Sequence, residues 1–316
     1  MVAVTDSGVL ALATPFIVTV LIVTTSALLL LRSRTGIAKP RGVATLGRVH
    51  AKHEFVLEDK HKVSSNVYRL RFSLPSEQHI LGLAIGNHVT VCADLCNPIS
   101  GEGPKHIMRQ YTPISSDFCD VGHFELLVKV YRKGEHPRYP EGGWMSQHLE
   151  SLAVGDLVTM KGPSGRIEYL EKGSFKLGRV QQRFKQVGMI AGGTGITPMY
   201  QLIKHVLETR KGLDNLGLSL LFGNQHPSDI LLREELDAFA KDHEDQFKLA
   251  LTVDSVGKNE TWSGFTGFMT ADMIKVSMPA PGSDVLILLC GPHPMVKSAE
   301  SLLLSLGHTK QNIHAF

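Results

Sequence analysis

The hydrophobic period of this chain changes once, near Gln186, and that change limits the folds open to it. Before it, apolar residues alternate one by one. Tyr68, Leu70 and Phe72 share one face of a strand, with Arg69 and Arg71 on the other. Val89, Val91 and Ala93 repeat the pattern, and so do Phe124, Leu126, Val128 and Val130 against Glu125, Leu127, Lys129 and Tyr131. Val158 and Met160 continue it, and turn sequences such as NPISGEGP separate the runs. A two-residue period sends alternate side chains to opposite faces, so residues 53–162 are expected to form an antiparallel barrel or sandwich. After Gln186 the runs 187–191, 218–222 and 285–290 are wholly apolar, and helical stretches separate them. That is the pattern of a parallel, doubly wound α/β sheet. Helices are expected from near Pro198, over 229–243 with Ser228 or Asp229 as cap, after Thr270 as far as Val276, and over 294–306 with Gly307 at the end. The polar segment 171–186 is expected to be a linker between a barrel at 48–170 and an α/β domain at 187–316.

The N-terminus adds a different constraint. No charge lies between Asp6 and Arg32, which leaves 25 uncharged residues, Ser7 to Leu31. As a helix these would reach about 37 Å at about 1.5 Å per residue, enough to span a bilayer with tilt. A cleaved signal peptide would want a basic n-region and an A-x-A-like site, but here the basic residues follow the apolar run. A buried core helix would want a polar face. Residues 7–31 are therefore expected to be a retained transmembrane anchor, followed by a basic tether at 32–47. Arg32, Arg34, Lys39 and Arg41 then place the bulk of the chain in the cytosol.

Net charge narrows the function. The overall +3 arises in the anchor and tether, and everything after Arg41 is neutral. A nucleic-acid binder would carry a basic face. The four cysteines, Cys92, Cys96, Cys119 and Cys290, are too few for a disulfide scaffold and lack metal-site spacing. No metal site is expected, and any redox chemistry needs an organic cofactor or a haem.

Several short motifs carry chemistry. Gly192-Gly193-Thr194-Gly195-Ile196-Thr197-Pro198 lies between an apolar strand and a helix, where glycines let a phosphate or ribose approach and the helix start offers free N–H groups. Such a turn is also compatible with a purely structural role. Cys290-Gly291-Pro292-His293-Pro294-Met295 ends another apolar strand, the position at which open α/β sheets bind ligands. Asp254, at a third strand end, suits a ribose diol and repels a 2′-phosphate, although a solvated turn acid would look the same. In the first half, Arg109-Gln110-Tyr111-Thr112-Pro113-Ile114-Ser115 sets a cation and an aromatic on one strand face, fit for a pyrophosphate beside a flat ring. Gly142-Gly143-Trp144-Met145-Ser146-Gln147 then opens a short helix.

Taken in order, with Val128-Lys129-Val130-Tyr131, the Gly-Pro-Ser-Gly at 162–165 and the terminal Phe316, these motifs resemble the NADH-cytochrome b5 reductase family of ferredoxin reductase-like flavoproteins. The resemblance runs from about His53 to Phe316, and the N-terminal apolar segment is similar to that of the family's membrane form. It implies FAD in an antiparallel barrel domain and NADH on an α/β doubly wound domain, with electrons passed to cytochrome b5. A quinone or another small acceptor, or a tethered binding protein without catalysis, are the competing readings. The membrane would be that of the endoplasmic reticulum or the mitochondrial outer membrane, with the catalytic domains facing the cytosol.

By the same resemblance, Arg109 pairs with the FAD pyrophosphate and Tyr111 packs near the flavin. Thr112 bonds the ring near its reactive nitrogen, and His88 stands behind Thr112. Gly143, Met145 and Ser146 match the FAD phosphate segment, and Gln110 and Leu127 fall among the FAD-binding positions. Lys129 matches a lysine at the nicotinamide nucleotide. Thr194 and Thr197 match the flavin–nicotinamide junction. Asp254 matches the acid that selects NADH, and Phe268 an aromatic near the adenine. Cys290 matches a cysteine by the nicotinamide, and Phe316 the terminal aromatic beside the flavin. Thr112, His88 and Cys290 are the expected catalytic group, with Cys290 positioning rather than attacking. The sequence departs from the family pattern at Gln110, Arg132, Trp144 and His293, none of which deletes a principal ligand.

Overall fold

A computed structural model describes residues 42–47, 51–135, 137, 139–209, 214–258 and 260–316. The expected anchor at 7–31 and the tether as far as Arg41 lie outside the described residues. Among the described residues no helix is long and apolar enough to cross a membrane.

The first half contains β1 (Val43–Ala44), β2 (Lys52–Ser64), β3 (Val67–Ser73), β4 (His79–Ile80), β5 (His88–Leu95), β6 (Lys105–Tyr111), β7 (His123–Lys129), α1 (Trp144–Ser151) and β8 (Leu157–Ser164). Six of these strands form one antiparallel sheet in the order β6-β5-β8-β2-β3-β7. The alternation read from the sequence sets its inside. Leu70, Phe72, Phe124, Leu126 and Val128 are buried in one core with Val89, Val91 and Met160. β2 carries the curl: its first five residues pair with β8, and its remainder pairs with β3 through two register shifts. On the outer face Arg71 donates two hydrogen bonds to Glu125 across β3 and β7, at 3.0 and 2.8 Å.

The next segment differs from expectation. Residues 171–186 are not a plain linker. β9 (Ile167–Glu171), β10 (Ser174–Leu177) and β11 (Val180–Arg183) form a small antiparallel sheet. Phe175 and Phe184 pin this stretch into the core, and they are the apolar residues that a polar average conceals.

The second half is the doubly wound sheet. It runs β12 (Gln186–Gly192), α2 (Ile196–Lys204), β13 (Gly217–Asn224), α3 (Arg233–Asp242), β14 (Phe247–Val253), β15 (Phe265–Thr266), α4 (Ala271–Ser277), β16 (Val285–Cys290), α5 (His293–Ser305) and β17 (Ile313–Ala315). The strands are all parallel, in the order β15-β14-β13-β12-β16-β17. Strand order therefore reverses at β12, with β13 and β16 on either side. Thr270 caps α4 as expected, its hydroxyl accepting from the Met273 N–H at 3.3 Å. α2 starts at Ile196 rather than at Pro198, because a first-turn N–H has no helical acceptor and proline is tolerated there. α3 starts at Arg233, four residues later than expected. Pro227–Asp229 is a separate 3-10 turn, and Leu232 sits at φ 55°. Ile230, Leu231 and Leu232 are all buried. Three consecutive helical residues span too wide an arc to face one sheet together, so the backbone stays irregular there.

The two halves share a core. Val67, Ile85, Ile114, Leu127 and Ile167 from the outer side of the barrel pack in one cluster with Met199, Tyr200 and Ile203 of α2. The described residues of both halves accordingly cluster as a single unit. Beneath it His205 is 1% exposed, with its ring 4.4 Å from Phe118 and 5.7 Å from Tyr169. Its Nδ1 has no partner, and burial pushes its pKa down to about 4. The unfolded chain binds that proton near pH 6.5 and the folded chain only near 4, so folding stability falls as pH drops through that window, by about 3 kcal/mol in full. In His205→Leu the acid limb of Tm against pH between about 6.5 and 4 is expected to flatten; thermal melts across that range check it.

Candidate active site

On the barrel, β5 and β6 bring the expected residues to one end. Val89 lies opposite Tyr111 and Val91 opposite Arg109. Continuing that antiparallel register sets His88 beside Thr112. β6 is an edge strand, so Arg109 and Gln110 are exposed while Tyr111 is half-buried against the barrel core. The Arg109 guanidinium donates to the Met108 carbonyl at 2.8 Å and has no ion pair among the described residues. Burial raises the Tyr111 phenol and lowers the His88 imidazole, so both are neutral near pH 7. The His88 Nε2 is buried without a partner.

α1 packs across β5, β6 and β7, and at its start the Gly143 N–H donates to the Tyr131 carbonyl at 2.8 Å, two residues past the end of β7. Its first turn has no side-chain cap. The Ser146 hydroxyl instead donates to the Gly143 carbonyl at 2.9 Å and accepts from the Tyr131 N–H at 3.2 Å. Gly142, at φ 68°, lies against the Tyr131 carbonyl, where an added Cβ would stand 2.4 Å from the oxygen. The Met145 side chain is buried in the barrel and anchors the helix. Lys129 ends β7, half-buried and without an ion pair among the described residues. Leu127 on the same strand is 4% exposed, its side chain taken up in the shared core.

In the α/β half, glycines bring two strand ends together. Ala191 lies opposite Cys290, and beyond that pair a Cβ on Gly195 would stand 2.2 Å from the Cys290 carbonyl oxygen. A Cβ on Gly192 would meet the Met295 sulfur at 2.5 Å. This close approach lies beside β12, where strand order reverses and open α/β sheets bind ligands. Thr197 is buried, its hydroxyl donating to the Thr194 carbonyl at 3.2 Å. The Gly193–Gly195 turn lies against β7, which brings Thr194 to the barrel strand that ends in Lys129. The Phe316 N–H donates to the Leu289 carbonyl at 3.1 Å, so the chain terminus sits beside Cys290. Burial pushes the Cys290 thiol up to about 11, so it is protonated near neutrality and is no nucleophile.

Asp254 and Phe268 lie further along the sheet. Asp254 follows β14 directly, its N–H donating to the Asn224 carbonyl at 3.0 Å. Phe268 is 85% exposed, and the Gly267 N–H holds it to the Val253 carbonyl at 2.8 Å. Asp254 stands two strands from β12, about 10 Å away, and Phe268, just after β15, stands three strands away, about 14 Å.

The residues present fit a flavin dinucleotide on the barrel and a nicotinamide dinucleotide on the sheet. An exposed guanidinium without an ion pair among the described residues and an uncapped helix start suit a pyrophosphate, and the unpartnered His88 nitrogen suits a polar chain behind a ring. Among the described residues no group of three or more His, Cys, Asp or Glu is placed to hold a metal.

Residues 54–169 match the oxidoreductase FAD-binding domain, and residues 189–301 match the oxidoreductase NAD-binding domain. NADH-cytochrome b5 reductase 2 of Rattus norvegicus is 43% identical over 88% of this chain and 99% of its own length. The chain belongs to the NADH-cytochrome b5 reductase family. The corresponding protein of Xenopus tropicalis is 42% identical over 99% of both chains. Among solved structures, the cytochrome b5 reductase domain of Ulva prolifera nitrate reductase aligns at TM-score 0.77 and 36% identity, covering 88% of this chain and all of that one.

Two residues escaped the motif reading of this family member. Gln201 is 2% exposed and joins α2 to the barrel. Asn224 ends β13 with both amide atoms buried and unpartnered. Gln201 is a lone amide in an otherwise apolar helix start, which was the available signal, whereas Asn224 stands beside Gln225 at a strand end and carried none.

Gly195 has φ −64°, so alanine fits its backbone and any effect of substitution there is steric. Gly195→Ala is expected to cost about 1–3 kcal/mol and to slow flavin reduction by NADH. Gly217, whose nearest neighbour would be 3.6 Å from an added Cβ, is the control, and Gly217→Ala is expected to change neither. Thermal melts and anaerobic absorbance traces check both.

Proposed function

We propose that this chain takes a hydride from NADH and passes single electrons to cytochrome b5, held at a membrane by residues 7–31 with its catalytic part in the cytosol. The observation that carries this reading is the seating of the Gly193–Gly195 turn against both β7 and the Cys290 backbone. On this reading the carboxyl ends of the parallel strands face the barrel end that bears His88 and Thr112. FAD supplies the relay between a two-electron donor and a one-electron acceptor.

The chain's own residues then have separable tasks. Arg109 and the start of α1, with Gly143 and Ser146, hold the FAD pyrophosphate. Tyr111 covers the ring system, and Thr112 offers its hydroxyl to the ring edge with His88 behind it. Lys129, Thr194 and Thr197 hold the nicotinamide half of the donor. Cys290 and Phe316 line the ring junction and exclude water with uncharged surface. Asp254 takes the adenosine ribose diol, and Phe268 offers its ring to the adenine. Hydride transfer depends on stacking distance rather than on a titrating base, so neutral His88, Tyr111 and Cys290 suit the step. The apolar anchor keeps the enzyme in the plane of a membrane-bound acceptor and raises the effective concentration of both.

Anaerobic absorption spectra and turnover of the full-length protein in detergent test this reading. Flavin bands that NADH bleaches, with reduction of added cytochrome b5, are expected. Bleaching with quinone reduction but negligible cytochrome b5 reduction would overturn the acceptor assignment, and a folded, FAD-supplemented protein without flavin bands would overturn the whole reading. Asp254→Ala is expected to shrink the NADH over NADPH ratio of kcat/KM by about tenfold or more, because the repulsion of a 2′-phosphate goes with the carboxylate. Steady-state kinetics with both donors measure it.

A further inference from the structure

We propose that Gln201 is a positioning residue for hydride transfer, clasping the nicotinamide-side helix to both barrel segments that carry the flavin-side residues. This role rests on the flavin–nicotinamide crevice proposed above. Gln201 stands four residues after Thr197 on α2, one helical turn away and on the same face. Its Oε1 accepts the Gly86 N–H at 2.7 Å, and its Nε2 donates to the Pro113 carbonyl at 3.4 Å. Gly86 is two residues before His88, and Pro113 directly follows Thr112. One amide therefore ties the helix bearing Thr197 to the chain on either side of the His88–Thr112 pair.

The surroundings make that tie specific. Gly86 has φ 95°, and a Cβ there would stand 2.5 Å from the Ile167 carbonyl oxygen. Its N–H is thereby presented to α2 without a side chain in the way. Apolar contacts between the barrel and α2 resist separation but hardly resist sliding, since burial is non-directional. A buried amide bonded at both ends fixes direction and distance. Of the other polar ties across this boundary, Arg69–Glu235 at 3.1 Å and Lys204–Asp120 at 3.5 Å join partly exposed charges that hold less firmly, and the buried bond from the Tyr169 hydroxyl to Asp214 ties β9 to the segment before β13 rather than to α2. A misplacement of about 1 Å between reacting groups costs about 100-fold in rate. Gln201 is therefore required for rate at saturating donor more than for binding of either dinucleotide.

The test uses full-length holoenzyme in detergent, with Gln201→Leu and Gln201→Glu. Readouts are FAD content, NAD+ affinity, and the stopped-flow rate of flavin bleaching at saturating NADH, with the primary deuterium isotope effect as a marker that hydride transfer is observed. Gln201→Leu is expected to bleach about 10- to 100-fold more slowly with full FAD content and with NAD+ affinity within about twofold. Gln201→Glu carries the further signature. A protonated glutamic acid presents the same acceptor and donor as glutamine, and burial raises its pKa. Its bleaching rate is expected to climb toward wild type as pH falls from about 8 to 6, while wild type and Gln201→Leu stay flat. A Gln201→Leu rate within about threefold of wild type overturns the role, and so does a flat profile for Gln201→Glu. Should Gln201→Leu lose FAD, the Gln201→Glu profile alone decides. Wild-type enzyme that NADH does not bleach overturns the crevice reading itself, and the role with it.

Discussion

Everything about this site depends on the outer face of the barrel being buried against α2. Val67, Ile85, Ile114, Leu127 and Ile167 would be solvent-facing in an isolated barrel, yet each lies in the cluster that holds Met199, Tyr200 and Ile203. Relative motion between two domains is the default unless their interface is large and hydrophobic, and here the core runs straight across the boundary. The crevice between the strand ends is therefore largely preformed. Ion pairs such as Arg69–Glu235 sit around this apolar contact and orient it without holding it together.

On the reading proposed above, the chain sets two dinucleotide cradles onto that frame by opposite means. The barrel cradle is built from polar groups that the rest of the protein leaves largely open: an exposed Arg109 guanidinium that bonds its neighbouring Met108 carbonyl and has no ion pair among the described residues, an uncapped first turn of α1 and an unpartnered His88 nitrogen. The sheet cradle is built by removing side chains, so that Gly192, Gly195 and Gly291 let backbone meet backbone beside Cys290. A buried donor without a partner costs free energy, and so does close approach at a glycine. Both costs sit at the places where a ligand would relieve them. Two of the positions singled out in the sequence, Arg132 and Trp144, make contacts around α1. Arg132 pairs with Glu150 at the C-terminal end of α1, and Trp144 at its start donates to Glu141 while Lys105 lies 5.7 Å over its ring.

Much of the fold was legible because period and burial are local properties. Alternation at 68–72 and 124–130 named the barrel interior, and the apolar run at Val285–Cys290 has the bounds of its strand. Thr270 was readable as a cap because its hydroxyl satisfies an N–H three residues on. The misreadings have a common cause. Phe175 and Phe184 sit in a segment polar on average, and Ile230, Leu231 and Leu232 look like the start of a helix. What they do depends on which surface lies opposite, and no local pattern carries that. Leu127 shows the same limit: it read as an outward strand residue near a cofactor and is buried by the other half of the molecule.

The sequence by itself determined the two architectures, the order of the motifs and the family, since each rests on residue type and spacing along one stretch of chain. Only the tertiary structure decided which residues face each other across the crevice. Gln201 meets Gly86 and Pro113 over separations of 115 and 88 residues, and Gly195 meets Cys290 through backbone alone. Such contacts arise when two separately patterned surfaces are pressed together, and their geometry belongs to the pair rather than to either stretch of chain.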